Sequence, residues 1–253
     1  MNWDKIKEAR EFLKDIDRDI IDFNETDQSQ QIPAPPIEKP WEGGELIDLP
    51  GRETFDFPTM SVMEAIEKRA SRRVFDLTDM KLTELAYLLW ATTGVRSHKP
   101  YRTLRMAPSA GNRHSEETYL AVMRVEGLKP GIYRYLPLEH KLGLVRAYDD
   151  IYDRVHRAAR MQLFATRCNV LFIWTTIPYR TEWRYDYASA KVIAMDLGHL
   201  CQNLYLACES IGYGTCAVGA YDQAESDQLV EVDGEDEFTI YMAPVGRQKL
   251  TEE

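Results

Sequence analysis

Cysteine is scarce in this chain of 253 residues, and the four present (Cys168, Cys201, Cys208 and Cys216) include no Cys-x-x-Cys pair. Zinc-ribbon spacing is therefore missing. Cys201 and Cys208 fall on one predicted helix about 10.5 Å apart, beyond the roughly 7 Å a disulfide permits, so reduced buried thiols are expected. An excess of positive charge is also missing: 31 Lys+Arg against 41 Asp+Glu give a net charge of −10. That balance supplies no overall electrostatic footprint for nucleic acid or an anionic membrane. No apolar run approaches the roughly 18 residues of a membrane helix, and the opening MNWDKIKEAR has no apolar stretch between its charges, which predicts a cytoplasmic protein. A dinucleotide fingerprint is incomplete, because Gly212-Tyr213-Gly214-Thr215-Cys216-Ala217 has Ala217 in place of the third glycine and follows a helix instead of a strand. Asp15, Asp17 and Asp19 resemble the start of a calcium loop, but Ile20 stands where that loop requires glycine. The five histidines show no metal-ligand spacing, and Ser109 lacks the glycine two residues before it that a nucleophile elbow needs.

What is present suits a folded core, with 44% apolar and 28% charged residues. Trp3, Ile6, Ala9, Leu13, Ile16 and Ile20 predict an amphipathic surface helix. Six of the twelve prolines then fall between residues 24 and 58, which reads as an extended arm on the surface of its own or a partner subunit. The boundary is placed at residues 1–58 for helix and arm and 59–253 for the main domain. Short helices are expected over Met60 to Arg69 and from Leu82, ending at Gly94. A β meander follows over ETYLAVMRV, GIYRYLP and KLGLVRAY, with Pro130-Gly131 fitting a type II turn. NVLFIWTTI reads as a central strand buried on both faces, residues 188–211 as the strongest helix, Asp222 with Glu225 as a helix cap, and FTIYMAPVG as a last strand. Helices that flank a meander without alternating regularly with strands indicate an α+β domain.

Two segments invite chemistry. Lys68-Arg69-Ala70-Ser71-Arg72-Arg73 either complements the negative end of a helix or, if extended, sets Arg69, Ser71 and Arg73 on one side as a phosphate clamp. Met106 to Asn112 is a loop of mostly small residues, either an ordinary turn or a place where backbone approaches a flat ligand.

Taken together and in order, these pieces resemble the nitroreductase family of flavoproteins, in its SagB-type branch, which includes azoline oxidases of peptide natural products. Arg69-Ala70-Ser71-Arg72-Arg73-Val74-Phe75 is similar to the family's Arg-x-Ser-x-Arg/Lys-x-Phe, and Arg105 to Gly111 to the branch's Pro-Ser-Ala-Gly loop. Gly131-Ile132-Tyr133-Arg134-Tyr135, Asp196 to Asn203, Val218 to Asp222, and Pro244-Val245-Gly246-Arg247 complete the match over roughly residues 60–248. The resemblance implies a mostly antiparallel sheet flanked by helices and an intertwined homodimer with FMN at the subunit interface. It implies that Arg69 and Ser71 hold the phosphate end and that Arg73 reaches the ribityl chain or the N1/O2 edge. Pro108, Ser109, Gly111 and Asn112 from the other subunit would cover the ring. The backbone N–H of Gly219, beside Val218, would face N5, and Arg247 would return to the phosphate, assisted by Lys249. The activity implied is hydride transfer from NAD(P)H through FMN to an electron-poor acceptor such as a nitroaromatic or quinone. Arg184-Tyr185 stands where azoline oxidases resemble one another in a Lys-Tyr pair; arginine stays charged and is a poor base. An azoline-type peptide oxidase and a slow-turnover FMN-binding interaction protein are the alternatives.

Overall fold

Strands form where apolar and aromatic residues run unbroken between turn residues, and helices where apolar residues recur at three and four. In the computed structural model, which describes residues 1–15, 17–58, 60–99 and 102–249, the elements are α1 (Trp3–Glu11), β1 (Leu46–Asp48), α2 (Val62–Lys68), α3 (Leu82–Thr93), β2 (Val95–Lys99), β3 (Arg102–Arg105), β4 (Glu116–Val122), β5 (Gly131–Leu136), β6 (Lys141–Ala147), α4 (Ile151–Ala158), β7 (Val170–Thr176), α5 (Tyr179–Tyr185), α6 (Ser189–Ser210), β8 (Tyr213–Thr215), α7 (Gln223–Val230) and β9 (Phe238–Arg247). Seven strands form one sheet in the order β1-β6-β5-β4-β7-β9-β8, every neighbouring pair antiparallel. β2 and β3 make a separate hairpin.

The sheet has a core on each face because side chains alternate along a strand. Leu120, Phe172 and Trp174 point toward Leu85, Leu88 and Leu89 of α3 and Ile193, Leu197 and Leu204 of α6. Tyr119, Ala121, Leu171 and Ile173 pack with Ile151 and Val155 of α4 and Leu229 of α7 on the other face. β4 and β7 are buried along their whole length, as the unbroken apolar run of β7 predicts. The cap on α7 is present, with Asp222 accepting from the Glu225 N–H at 3.1 Å. All four cysteines are free and buried.

Three expectations need correction. α1 stops at Glu11 and buries no residue, so its stripe gains nothing from continuing; Ile16 lies outside the described residues, as does the domain boundary residue Thr59. The turn before β5 lies at Val125–Leu128, closed by a 3.1 Å bond from the Leu128 N–H to the Val125 carbonyl, with Gly127 at φ +79°. Pro130-Gly131 instead leads straight into β5, where Gly131 is extended. Finally, β1, β2, β3, α5 and β8 are short elements that the periodicity did not signal.

The Pro-rich arm lies along its own subunit. Arg105 donates to the Ile37 carbonyl at 2.7 Å, Arg134 to the Lys39 and Pro40 carbonyls at 2.9 and 3.0 Å, and the Trp183 indole N–H to the Ile32 carbonyl at 2.9 Å. Buried donors from the main domain thus satisfy carbonyls that prolines leave without a ladder partner.

Candidate functional site

The arginine cluster begins where α2 ends. Ser61 and Glu64 form a capping box at its start, and the backbone turns extended at Arg69. Only Lys68 falls in the helix's last turn, so the macrodipole does not account for the arginines beyond it. The extended stretch runs beside β8, with the Arg72 N–H donating to the Thr215 carbonyl at 2.9 Å and Ser71 bridged to Thr215. Glycines permit this approach, since a Cβ on Gly214 would lie 2.8 Å from the Arg72 side chain and one on Gly246 2.6 Å from Phe75.

Alternation then separates the side chains. Arg72 pairs with buried Glu209 at 2.8 Å. Arg69 lies over the Tyr205 ring, 5.4 Å from its centre, and the Ser71 hydroxyl is 3.1 Å from the Tyr205 hydroxyl, which accepts from the Ala217 N–H at 2.8 Å. Arg69 and Ser71 are therefore brought together. Arg73 stands apart from them over the Phe164 ring at 5.7 Å. Arg247 is engaged elsewhere, donating to Glu84 and to the Tyr213 hydroxyl, each at 3.0 Å. Among the described residues Arg69 and Arg73 have no carboxylate partner, whereas Arg72 and Arg247 do. Next to this cradle, buried Val218 bridges to Met242, and a Cβ placed on Gly219 would meet nothing within 4 Å.

The loop before β4 is a second cluster. The Ala110 N–H donates to both oxygens of buried Asp196 on α6, at 2.9 and 3.1 Å, and the Ser109 hydroxyl accepts from the His114 N–H at 2.9 Å. Gly111, Asn112 and His114 all have positive φ, at +56°, +58° and +49°. Such angles cost a non-glycine residue about 1–3 kcal/mol and persist only where surrounding bonds hold them. His114 is held by contacts of its ring with the Thr103 carbonyl at 3.0 Å and Asn112 at 3.1 Å; burial, with Arg105 beside it, pushes its pKa down to about 3. It is a neutral structural histidine. Behind it, burial and the neighbouring Asp196 push Glu116 up to about 7.

Arg184 and Tyr185 at the end of α5 close over this loop. A Cβ on Gly111 would lie 2.6 Å from the Tyr185 hydroxyl and 2.9 Å from Arg184 Cδ, and the Arg184 guanidinium sits 5.4 Å from the Tyr185 ring centre. Asp186, which follows, has φ +52° and ψ −143°, a strained backbone for a non-glycine residue. Pro108, Ser109, Gly111, Asn112, Arg184 and Tyr185 are thus neighbours in one chain. No hydrogen bond, ion pair or aromatic contact among the described residues joins them to Arg69, Ser71 and Gly219. Tyr205, Asp196 and Glu116 were missed by the sequence reading. The signal for Asp196 was an acid beside the apolar stripe of α6; Tyr205 carried none.

Residues 66–247 match a family model described as the nitroreductase family. A protein of Methanocaldococcus jannaschii named "Putative nitroreductase MJ1384" is 30% identical over 194 residues, spanning 76% of this chain and 94% of that one. The chain belongs to the nitroreductase family. Its sheet and flanking helices are the family's α+β fold, and membership places it among oxidoreductases. A Ralstonia eutropha protein solved as a nitroreductase of that same provisional kind superposes with a TM-score of 0.68 at 26% identity, covering 87% of this chain and all of that one. A chain of the Escherichia coli microcin synthetase McbBCD complex, solved with truncated pro-MccB17 bound, superposes at 0.60 with 18% identity, covering 78% and 77%, which shows the shared fold.

Proposed function

We propose that this nitroreductase-family protein is an FMN-dependent NAD(P)H oxidoreductase that works as a homodimer on an electron-poor acceptor such as a nitroaromatic or quinone. The observation that carries the reading is the convergence of Arg69 and Ser71 on Tyr205, whose hydroxyl also holds the Ala217 N–H two residues before the open Gly219. That donor set fits FMN. A guanidinium without a carboxylate partner and a hydroxyl suit a phosphate of nearly two negative charges, and the space over Gly219 leaves its backbone free to face a ring. When bound, FMN supplies the chemistry, taking hydride from NAD(P)H and passing it to the acceptor.

The chain's residues then bind, orient and shield. Arg69 and Ser71 hold the phosphate end, and Arg73 would supply a cation toward the ribityl chain or the N1/O2 edge only by leaving the Phe164 ring. Val218 keeps the surroundings apolar. Arg247 would serve the phosphate only by leaving Glu84. Pro108, Ser109, Gly111 and Asn112 cover a ring held by the other subunit. α2 also exposes Val62, Met63 and Ile66, at 71%, 77% and 58%, an apolar face suited to a second copy. Residues 59–253 carry the flavin, and residues 1–58, the helix and arm, add β1 to the edge of the same sheet. No helix among the described residues is long and apolar enough to cross a membrane, in keeping with a cytoplasmic assignment.

Purified protein should be yellow and dimeric, and its flavin should bleach with NADH or NADPH under anaerobic conditions. Colourless protein that does not take up added FMN overturns the reading. A second reading, azoline-type peptide oxidation, draws support from the Tyr185 hydroxyl lying against Gly111. Flavin that resists both nicotinamides, together with a loss of about 10²–10⁴-fold on Tyr185→Phe with an azoline peptide, would favour it.

A further inference from the structure

Beneath the Pro-rich arm is a cavity of about 1010 Å³, of a size that holds a small organic molecule. The arm from Pro33 to Trp41 lines it, and so do Gly111, Asn112, Arg113, Trp183 and Arg184. Because the arm's carbonyls at 32, 37, 39 and 40 already accept from Trp183, Arg105 and Arg134, what it presents to a ligand is largely proline rings and the Trp41 indole. These are flat, apolar walls.

Charge on the wall is unbalanced. Arg113 is 9% exposed; its Nε donates to the Arg180 carbonyl at 2.8 Å, and its guanidinium lies 4.8 Å from the centre of the Trp183 ring. Its Nη2 is sealed from solvent with no acceptor, and among the described residues no carboxylate pairs with it. The neighbouring Arg180 guanidinium is matched by Glu117 at 2.6 Å and faces Arg113 as a like charge. Burial, Arg184 and Arg180 all disfavour the charged form of Arg113. Arg102 and Arg184 on the same wall likewise have no carboxylate partner among the described residues. Of the wall's two acids, Glu139 is exposed and Glu38, which is half-buried, accepts from the Leu138 N–H at 3.0 Å, with partial burial raising its pKa.

We propose that this cavity takes a flat aromatic carboxylate, with the carboxylate received by Arg113 and the ring lying between the prolines and Trp183. Arg113 takes the anion by turning its unpaired Nη2 from its buried position toward the cavity that the residue lines, which gives that nitrogen the acceptor it lacks, and the incoming charge relieves the repulsion among Arg113, Arg180 and Arg184. Gly111 and Asn112 at the rim belong to the loop assigned to cover the flavin, so the ligand is the electron acceptor or a close analogue of it; that link rests on the function proposed above.

Calorimetric titration of the flavin-loaded protein with benzoate and with its neutral isostere benzamide tests the inference. Benzoate should bind at least about tenfold more tightly, the loss expected when one charge-assisted hydrogen bond is absent. Arg113→Met should abolish that preference while flavin absorbance persists, and Arg113→Lys, which keeps the charge without the fork, should retain part of it. Ala34→Trp, on the exposed arm and away from the buried arginines, should block benzoate by filling the cavity. Equal affinity for the two probes, no benzoate binding, or undiminished binding in Ala34→Trp overturns the inference. Protein without flavin that still prefers benzoate supports the anion site and sinks the flavin reading. Flavin bleached by NAD(P)H with no benzoate preference does the reverse.

Discussion

The molecule contains two groups of arginines with opposite circumstances. Arg69 and Arg73 stand on an extended edge, over aromatic rings, and lack carboxylate partners among the described residues. Arg105, Arg134 and Arg180 are buried, and all three donate to backbone carbonyls. The first group is kept for something that comes from outside; the second holds the arm and the α5 segment to the sheet. One residue type performs both tasks because a guanidinium offers five donors in a fixed plane and stays charged in either setting. What distinguishes the groups is whether the chain has already supplied the acceptors.

Breaking the architectural group should have the largest effect. Arg180→Met removes the ion partner of buried Glu117 and leaves only Arg134, Arg105 and the Lys39 N–H to offset the burial that raises its pKa. Stability should fall by about 3–5 kcal/mol in urea unfolding. A loss below 1 kcal/mol would mean that the pair is dispensable and the contrast between the groups is false.

The next test concerns pH. Glu116 has a folded pKa near 7, above the ordinary 4.5, so its contribution to stability is whole below pH 4.5 and is lost as pH rises toward 7. His114, with a folded pKa near 3, acts oppositely: its contribution is present above the ordinary 6.5 and is lost as pH falls toward 3. Between pH 4.5 and 6.5 the two oppose each other. Relative to the native protein, Glu116→Gln should gain up to about 3 kcal/mol between pH 4.5 and 7, read as the difference of two denaturation curves at each pH. A flat difference would show that Glu116 is ionised in the folded protein throughout.

For the open group, Arg69→Ala should weaken FMN binding by about ten- to a hundredfold, or 1.5–3 kcal/mol, with apo-protein stability almost unchanged. Fluorescence titration and thermal melts on the same samples separate the two quantities. An unfolded Arg69→Ala protein would erase the distinction. The smallest expected effect is that of Tyr205→Phe, which removes the hydroxyl shared by Ser71 and Ala217 and should cost about 0.5–1.5 kcal/mol in FMN affinity. An effect larger than that of Arg69→Ala would make Tyr205, and not the arginine, the centre of the cradle.

The open group was legible in the sequence and the buried one was not. Arg69 and Ser71 sit two residues apart, so extended backbone alone brings them together, although it does not bring Arg73 to the same place. Arg105, Arg134 and Arg180 are scattered over 76 positions and meet only through the sheet's pairing and the packing of α5. The long elements were equally legible: β7 and α6 carry many apolar residues at a single period. Short elements of three to seven residues, such as β1, β8 and α5, are fixed by what they pack on. Arg184 and Tyr185 were chosen by resemblance, and their meeting with Gly111 follows from an α5 that periodicity did not reveal.

The arm is gripped by its main chain, at the carbonyls of residues 32, 37, 39 and 40, and its prolines and alanine are left facing the cavity. A peptide carbonyl is the same whatever side chain it accompanies. Pro33, Ala34, Pro35 and Pro36 can therefore be exchanged to reshape what the cavity admits while the anchors keep their grip, which makes this stretch a place where a library of variants could retune ligand choice on an unaltered scaffold.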